Sequence, residues 1–193
     1  MNIILASSSP RRQQLLSSLG VEFKIAIPDV DENVVLPPKE LVCELSRRKA
    51  KNIGETELFH DDIIIAADTV VAVNNIVLNK PADEKKAFEM LKILSGNIHY
   101  VYTGLSIFKN GRINTEYCVT DVYFNNLNDK QISDYINCGE SLDKAGGYGI
   151  QSKGACLVKK IDGDYFNVVG LPLNLLYNML MKYDIDILNL RGI

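Results

Sequence analysis

Histidine is scarce in this 193-residue chain: His60 and His99 are the only two, which excludes a multi-histidine metal centre. The four cysteines, Cys43, Cys118, Cys138 and Cys156, stand far apart with no C-x-x-C pair. Neither a zinc site nor a disulfide framework is expected, and buried thiols are the default reading. No apolar run approaches the roughly 20 residues that cross a bilayer. The opening Met1–Ala6 also lacks the basic region and long apolar core of a signal peptide. Net charge is only −3, so no general electrostatic grip on nucleic acid is expected, and any polyanion must be held by a local cluster of cations. These absences predict a cytoplasmic protein with neither a nucleic-acid nor a membrane partner. The rest is ordinary globular composition, 47% hydrophobic and 23% charged, in a chain expected to form one domain over residues 1–193.

Periodicity and turn signals outline a mixed α/β protein. Ile3-Ile4-Leu5 reads as a strand, followed by a helix carrying Leu15, Leu16 and Leu19 and stopped by Gly20. Val21–Ile27 alternates as a strand, and Pro37-Pro38 leads into a helix near Lys39–Asn52. Asp62–Val73 is a long β-branched run, with Asn74-Asn75 as a tight turn into Ile76–Leu78. Asp83 can cap a helix through Leu94, stopped by Ser95-Gly96. His99–Phe108 and Arg112–Phe124 flank Asn110-Gly111, the clearest hairpin in the chain. A short helix follows at Asn128–Ile136, then a glycine-rich loop, Asp143–Gly154. A second hairpin is expected from Cys156–Ile161 and Asp164–Val169 around Asp162-Gly163, and a last helix spans about Leu173–Tyr183. Hairpins mixed with helices argue for a mixed sheet.

The most informative segment is Ala6-Ser7-Ser8-Ser9-Pro10-Arg11-Arg12, set between a strand and a helix. Pro10 suits the first helical turn, where its missing N–H has no partner in any case. The serines offer hydroxyl and backbone N–H donors at a helix start, where partial positive charge favours an anion. Arg11 and Arg12 add guanidinium forks that match phosphate oxygens. On the helical wheel Arg12 falls inside the Leu15/Leu16/Leu19 arc and Arg11 at its edge. An inward arginine is costly unless an anion or carboxylate waits there. Taken alone, the segment also fits an ordinary capped helix with two solvated arginines.

Other candidates are scattered along the chain. Asp68 interrupts an apolar run that reads as a central strand, so it needs a partner, a metal or a function; a buried cation is the structural alternative. In a regular strand Asp68 and Thr69 point to opposite faces, so for both to face one cleft the strand must bulge or end nearby. Asp29, Asp31 and Glu32 are hard oxygen donors of the kind magnesium and manganese prefer, or else a solvated acidic loop. Lys49 falls near the middle of the buried arc of Leu41, Val42, Leu45 and Ile53, while Arg47 and Lys51 project away; snorkelling is its alternative. Lys80 sits at a strand–helix junction. The Asp143–Gln151 loop allows close backbone approach to a ligand but is neither a Walker A loop nor a complete G-x-G-x-x-G.

Together these segments resemble the Maf family of nucleoside triphosphate pyrophosphatases, also called septum formation proteins. The resemblance rests on Ala6–Arg12, Asp31-Glu32, Ala67-Asp68-Thr69, Lys80-Pro81, Leu94-Ser95-Gly96, Asp143–Gln151 and Val169–Leu173, which occur in the family's order. Gly147 stands where the family often has alanine. Pro10-Arg11-Arg12, Thr69 and Gly149-Ile150-Gln151 resemble the subfamily acting on dTTP and UTP rather than the one acting on 7-methyl-GTP.

The resemblance implies an α/β fold with a mixed, strongly bent sheet and flanking helices forming two lobes around a central cleft, similar to inosine triphosphate pyrophosphatase. It implies hydrolysis of dTTP and UTP to the monophosphate and pyrophosphate, with modified pyrimidine nucleotides as an alternative substrate. Asp68 is implied as proton acceptor, and Arg12, Thr69 and Gln151 as determinants of base specificity. Ser7, Ser9, Arg11, Lys49 and Lys80 are implied as further substrate-binding residues. Glu32 and Asp68 would hold a divalent cation, Mg2+ or Mn2+. Family members are often homodimers. A nucleotide-sensing or division-linked protein is the competing class, and Arg47-Arg48-Lys49 with Lys51 is the only basis for nucleic-acid binding.

Overall fold

Eleven residues, Ile63–Val73, form β3, the strand on which the rest of the computed structural model is assembled. The structure describes residues 2–189; Met1 and residues 190–193, which the single-domain expectation includes, lie outside the described residues. Nearly every β3 side chain is buried on both faces, which explains why its sequence runs apolar without polar alternation. Among the described residues the strands form one seven-stranded mixed sheet in the order β2-β1-β3-β5-β6-β7, with β4 also pairing β3. β1 (Ile3–Ala6) runs parallel to β2 (Lys24–Ala26) and to β3. β4 (Ile76–Leu78), β5 (Ile98–Lys109), β6 (Arg112–Phe124) and β7 (Val158–Asp162) complete the sheet through antiparallel pairs.

The sheet divides the core. Ile63, Ile65, Ala67, Val71 and Val73 of β3 pack into the larger cluster with Leu15 and Leu16 of α1 (Pro10–Ser18) and Leu91 of α3 (Glu84–Leu94). Ile132 of α4 (Asp129–Ile136) and Leu176 of α6 (Leu173–Met181) join the same cluster. Ile64, Ala66 and Val70 face the other way, toward α2 (Pro38–Gly54). This two-residue alternation is the pleat of a regular strand.

Most expected elements form. Asp83 caps α3 by accepting from the Lys86 N–H at 2.7 Å. Asn110 and Gly111 turn the long hairpin with φ of +49° and +73°, the pair of positive values that a tight hairpin turn requires. The second strand is shorter than expected, only Lys24–Ala26.

The expected buried thiols do not hold, since Cys138 and Cys156 are exposed and Cys43 and Cys118 half-buried, and one expected element is also overturned. Residues 164–169 are not the return strand of a hairpin; Tyr165–Val169 is a short helix, α5. The Asp164 side chain accepts from the backbone N–H of Phe166 at 2.7 Å and of Asn167 at 3.3 Å, which caps a helical turn and diverts the chain from the sheet. β7 pairs with β6 instead, from Asp121↔Asp162 to Phe124↔Val158.

Candidate active site

The cleft arises from a break in the sheet. β1 pairs β3 only through Ile3↔Ile63, Ile4↔Ile64 and Leu5↔Ile65. β4 takes up the same edge at Val71↔Leu78, while β5 covers the opposite edge continuously from Ile64 to Ala72. Among the described residues, positions 66–70 of β3 therefore have no strand partner on one edge. A cleft of about 1070 Å³ opens there, the size range of small-molecule sites. The strand itself neither bulges nor ends, contrary to the expected condition for a shared cleft. Its neighbours stop instead, so a ligand entering edge-on meets side chains from both faces of β3.

All ten residues expected from sequence line this cleft: Ser7, Ser9, Arg11, Arg12, Glu32, Lys49, Asp68, Thr69, Lys80 and Gln151. On one face, α2 brings Lys49 to Asp68. Gly104 of β5 lies directly opposite Asp68 in register, and a Cβ there would overlap the Val42 carbonyl of α2. The absent side chain lets the helix pack close to the sheet. Lys49 Nζ is 2.7 Å from Asp68 Oδ1 and 2.7 Å from Glu32 Oε1. Asp68 is buried, 7% exposed, whereas the Glu32 side chain is 59% exposed at the mouth. The buried-cation partner considered for Asp68 is thus real, yet it sits inside the cleft.

On the other face, Arg12 is directed inward, as its helical phase predicts. Its Nε donates to the Gly170 carbonyl at 2.8 Å and its Nη2 to Thr69 Oγ1 at 2.9 Å. Nη1 approaches Ser7 Oγ at 3.5 Å. All three partners are neutral oxygens, and among the described residues Arg12 forms no ion pair. Burial lowers its pKa, an effect that the charge of Asp68 opposes. A half-buried guanidinium with no counter-charge in contact is electrostatically incomplete.

Arg11 and Lys80 also line the cleft, and neither makes a side-chain hydrogen bond or ion pair among the described residues. Arg11 is close enough to affect Asp143. Burial pushes that carboxyl up, but Lys144, through a hydrogen bond and its charge, and Arg11, through its charge, hold it below the usual carboxylate value. Ser9 is the N-cap of α1 but makes no side-chain capping bond, so its hydroxyl remains available. Gln151 likewise makes no capping bond at the turn that follows it. The loop carrying Gln151 bends at Gly146, where φ is +69° and a Cβ would press within 2.9 Å of Val71.

Sequence reasoning missed Thr103 and Asn167. Thr103 is fully buried opposite Thr69, its Oγ1 2.9 Å from Thr69 Oγ1. Asn167, on the helix expected to be a strand, receives the Thr103 hydroxyl on its backbone carbonyl at 3.1 Å. A threonine set between Val101 and Leu105 on one face of β5 was the available signal.

No group of three or more His, Cys, Asp or Glu side chains converges on one point among the described residues. The pair Asp68 and Glu32 does converge, on the Lys49 ammonium. That pair fits a magnesium-type ion, which is commonly held by one or two carboxylates together with substrate phosphates and water.

A mixed sheet split at one edge thus gathers four expected cations, Arg11, Arg12, Lys49 and Lys80, and a carboxylate pair around the gap. The chain belongs to the Maf-like protein family, whose model matches residues 2–183. A Clostridium botulinum (strain Loch Maree / Type A3) protein named dTTP/UTP pyrophosphatase is 47% identical, covering 96% of this chain and 99% of its own length. A Carboxydothermus hydrogenoformans protein of the same name is 50% identical, covering 95% and 99%. No helix among the described residues is long and apolar enough to cross a membrane.

Proposed function

We propose that this protein is a cytoplasmic nucleoside triphosphate pyrophosphatase, acting on dTTP and UTP to give the monophosphate and pyrophosphate. The observation that carries the reading is a set of cations without counter-ions around one cleft. Arg12 is half-buried against neutral oxygens, and Arg11 and Lys80 have no partner among the described residues. A triphosphate supplies the missing negative charge at Arg11 and Lys80, and the Arg11 guanidinium fork suits its oxygens. The relatives' shared name supports the pyrimidine substrates.

Water is the nucleophile in this reading. Lys49 holds Asp68 Oδ1, and Oδ2 has no hydrogen bond among the described residues, so Oδ2 accepts the proton from the attacking water. Arg11 and Lys80 clamp the phosphates and stabilise the pyrophosphate that leaves. Asp68 and Glu32 would hold a divalent cation, Mg2+ or Mn2+. Such an ion, when bound, neutralises phosphoryl charge and acidifies water. Arg12, Thr69 and Gln151 read the base edge.

A panel of nucleoside triphosphates tests this, with Mg2+ or Mn2+ present or chelated and the products separated. The expected result is dTTP and UTP consumed fastest, with pyrophosphate released and activity lost on chelation. Release of inorganic phosphate alone, or no preference for dTTP and UTP, would overturn it. A modified pyrimidine such as 5-methyl-UTP belongs in the same panel.

A further inference from the structure

We infer that Thr103 is a positioning residue for base selection: by accepting the Thr69 hydrogen, it leaves the Thr69 hydroxyl only an acceptor to offer the base. The inference rests on the reading above, in which Thr69 faces the base edge. It concerns how a side chain outside the cleft lining sets the polarity of one inside it.

The direction of each hydrogen bond can be worked out from the far end. The Asn167 carbonyl lies near the end of α5, where the usual helical donors are diverted: the N–H groups of Gly170 and Leu171 both bond to the Phe166 carbonyl at 3.0 Å. Such terminal carbonyls need a donor from elsewhere. Thr103 Oγ1 supplies it at 3.1 Å, fully buried. A threonine hydroxyl carries a single hydrogen, so Thr103 has none left to give. In its 2.9 Å contact with Thr69, Thr69 must therefore donate.

Asn167 is itself held in place. Its Nδ2 donates to the Val101 carbonyl at 2.9 Å and to Thr120 Oγ1 at 3.0 Å. The acceptor at the far end is thus anchored to β5 and β6. At the near end, Arg12 Nη2 donates to Thr69 Oγ1 at 2.9 Å and occupies one of its lone pairs. The relay runs Arg12 to Thr69 to Thr103 to Asn167, every proton pointing inward. What Thr69 has left for a ligand is one lone pair.

That polarity discriminates between pyrimidines. Uracil and thymine carry an N3–H donor, which a lone pair accepts. Cytosine presents a lone pair at N3, so the two would repel. An isolated threonine hydroxyl would rotate and suit either base; the buried partner removes that freedom.

The test compares kcat/KM for UTP and CTP in the wild type, Thr103→Val and Thr103→Ser. Valine matches threonine in shape but cannot accept the Thr69 hydrogen, which then rotates toward the cleft. The UTP:CTP ratio should fall about tenfold in Thr103→Val and return in Thr103→Ser. A valine variant that loses both activities equally, or keeps the ratio, overturns the inference while leaving the functional reading intact. A wild type with no preference for UTP over CTP overturns both. Should the valine variant fail to fold, Thr103→Ala takes its place: alanine also cannot accept the Thr69 hydrogen, so the UTP:CTP ratio should again fall about tenfold, and an unchanged ratio overturns the inference.

Discussion

Strand β3 carries different chemistry on its two faces. On the α2 face, a carboxylate is held by a long ammonium side chain that is shared with a second, exposed carboxylate. On the α1 face, a hydroxyl is tied through a second hydroxyl to a backbone carbonyl. The first arrangement can re-partner when a phosphate or cation arrives, because Lys49 is flexible and its contacts are charge–charge. The second cannot shift without stranding a buried carbonyl, at a cost of about 1–3 kcal/mol. Proton transfer suits the adaptable face, and recognition suits the rigid one.

The division is open to direct attack. Asp68→Asn is expected to have the largest effect, lowering dTTP turnover by about 10²–10⁴, measured as pyrophosphate release. Turnover close to wild type would remove the chemistry from the α2 face altogether.

Acid should act on the opposite face. His99 lies on the Thr103 side of β5, fully buried, with Nε2 2.7 Å from the hydroxyl of the cleft-lining Tyr148. Burial lowers its pKa to about 4, against about 6.5 in the unfolded chain. Between these values the unfolded state binds more protons, so stability rises with pH. The contribution of neutral His99 is complete above about pH 6.5 and is lost as pH falls through 4, about 3 kcal/mol in all. Urea unfolding across this range should show that slope in the wild type and a shallower one in His99→Phe. Equal slopes would mean that other groups carry the acid sensitivity.

The smallest effect is expected away from both faces. Arg47 pairs on the surface with Glu44 at 2.8 Å, and exposed pairs contribute little. Arg47→Ala should change stability by no more than about 0.5 kcal/mol and leave dTTP turnover unaltered. A large loss of either would show that the basic run on α2 has a role beyond solvation.

The sequence reading succeeded where local pattern and burial agree. Lys49 could be aimed inward because four apolar neighbours define a helical arc, and Asp68 stood out because a carboxylate in an apolar strand demands an explanation. It failed at residues 164–169, where a short apolar stretch suits strand and helix equally. There, two backbone bonds to Asp164 tip the outcome. The shared cleft for Asp68 and Thr69 was not legible either, because it depends on where β1 and β4 stop, not on β3. Thr103 escaped notice because its partner Asn167 lies 64 positions away.

The amino-acid order by itself determined which side chains carry charge, which helix and strand faces they occupy, and the family to which the chain belongs. Those properties follow from residue identity and from periods of 3.6 and 2. Tertiary structure alone decided that the sheet splits beside Asp68, that a missing Cβ at Gly104 admits α2, and that each relay proton points inward. Strand ends, close approach and hydrogen-bond direction depend on partners distant in the chain, and no local pattern encodes them.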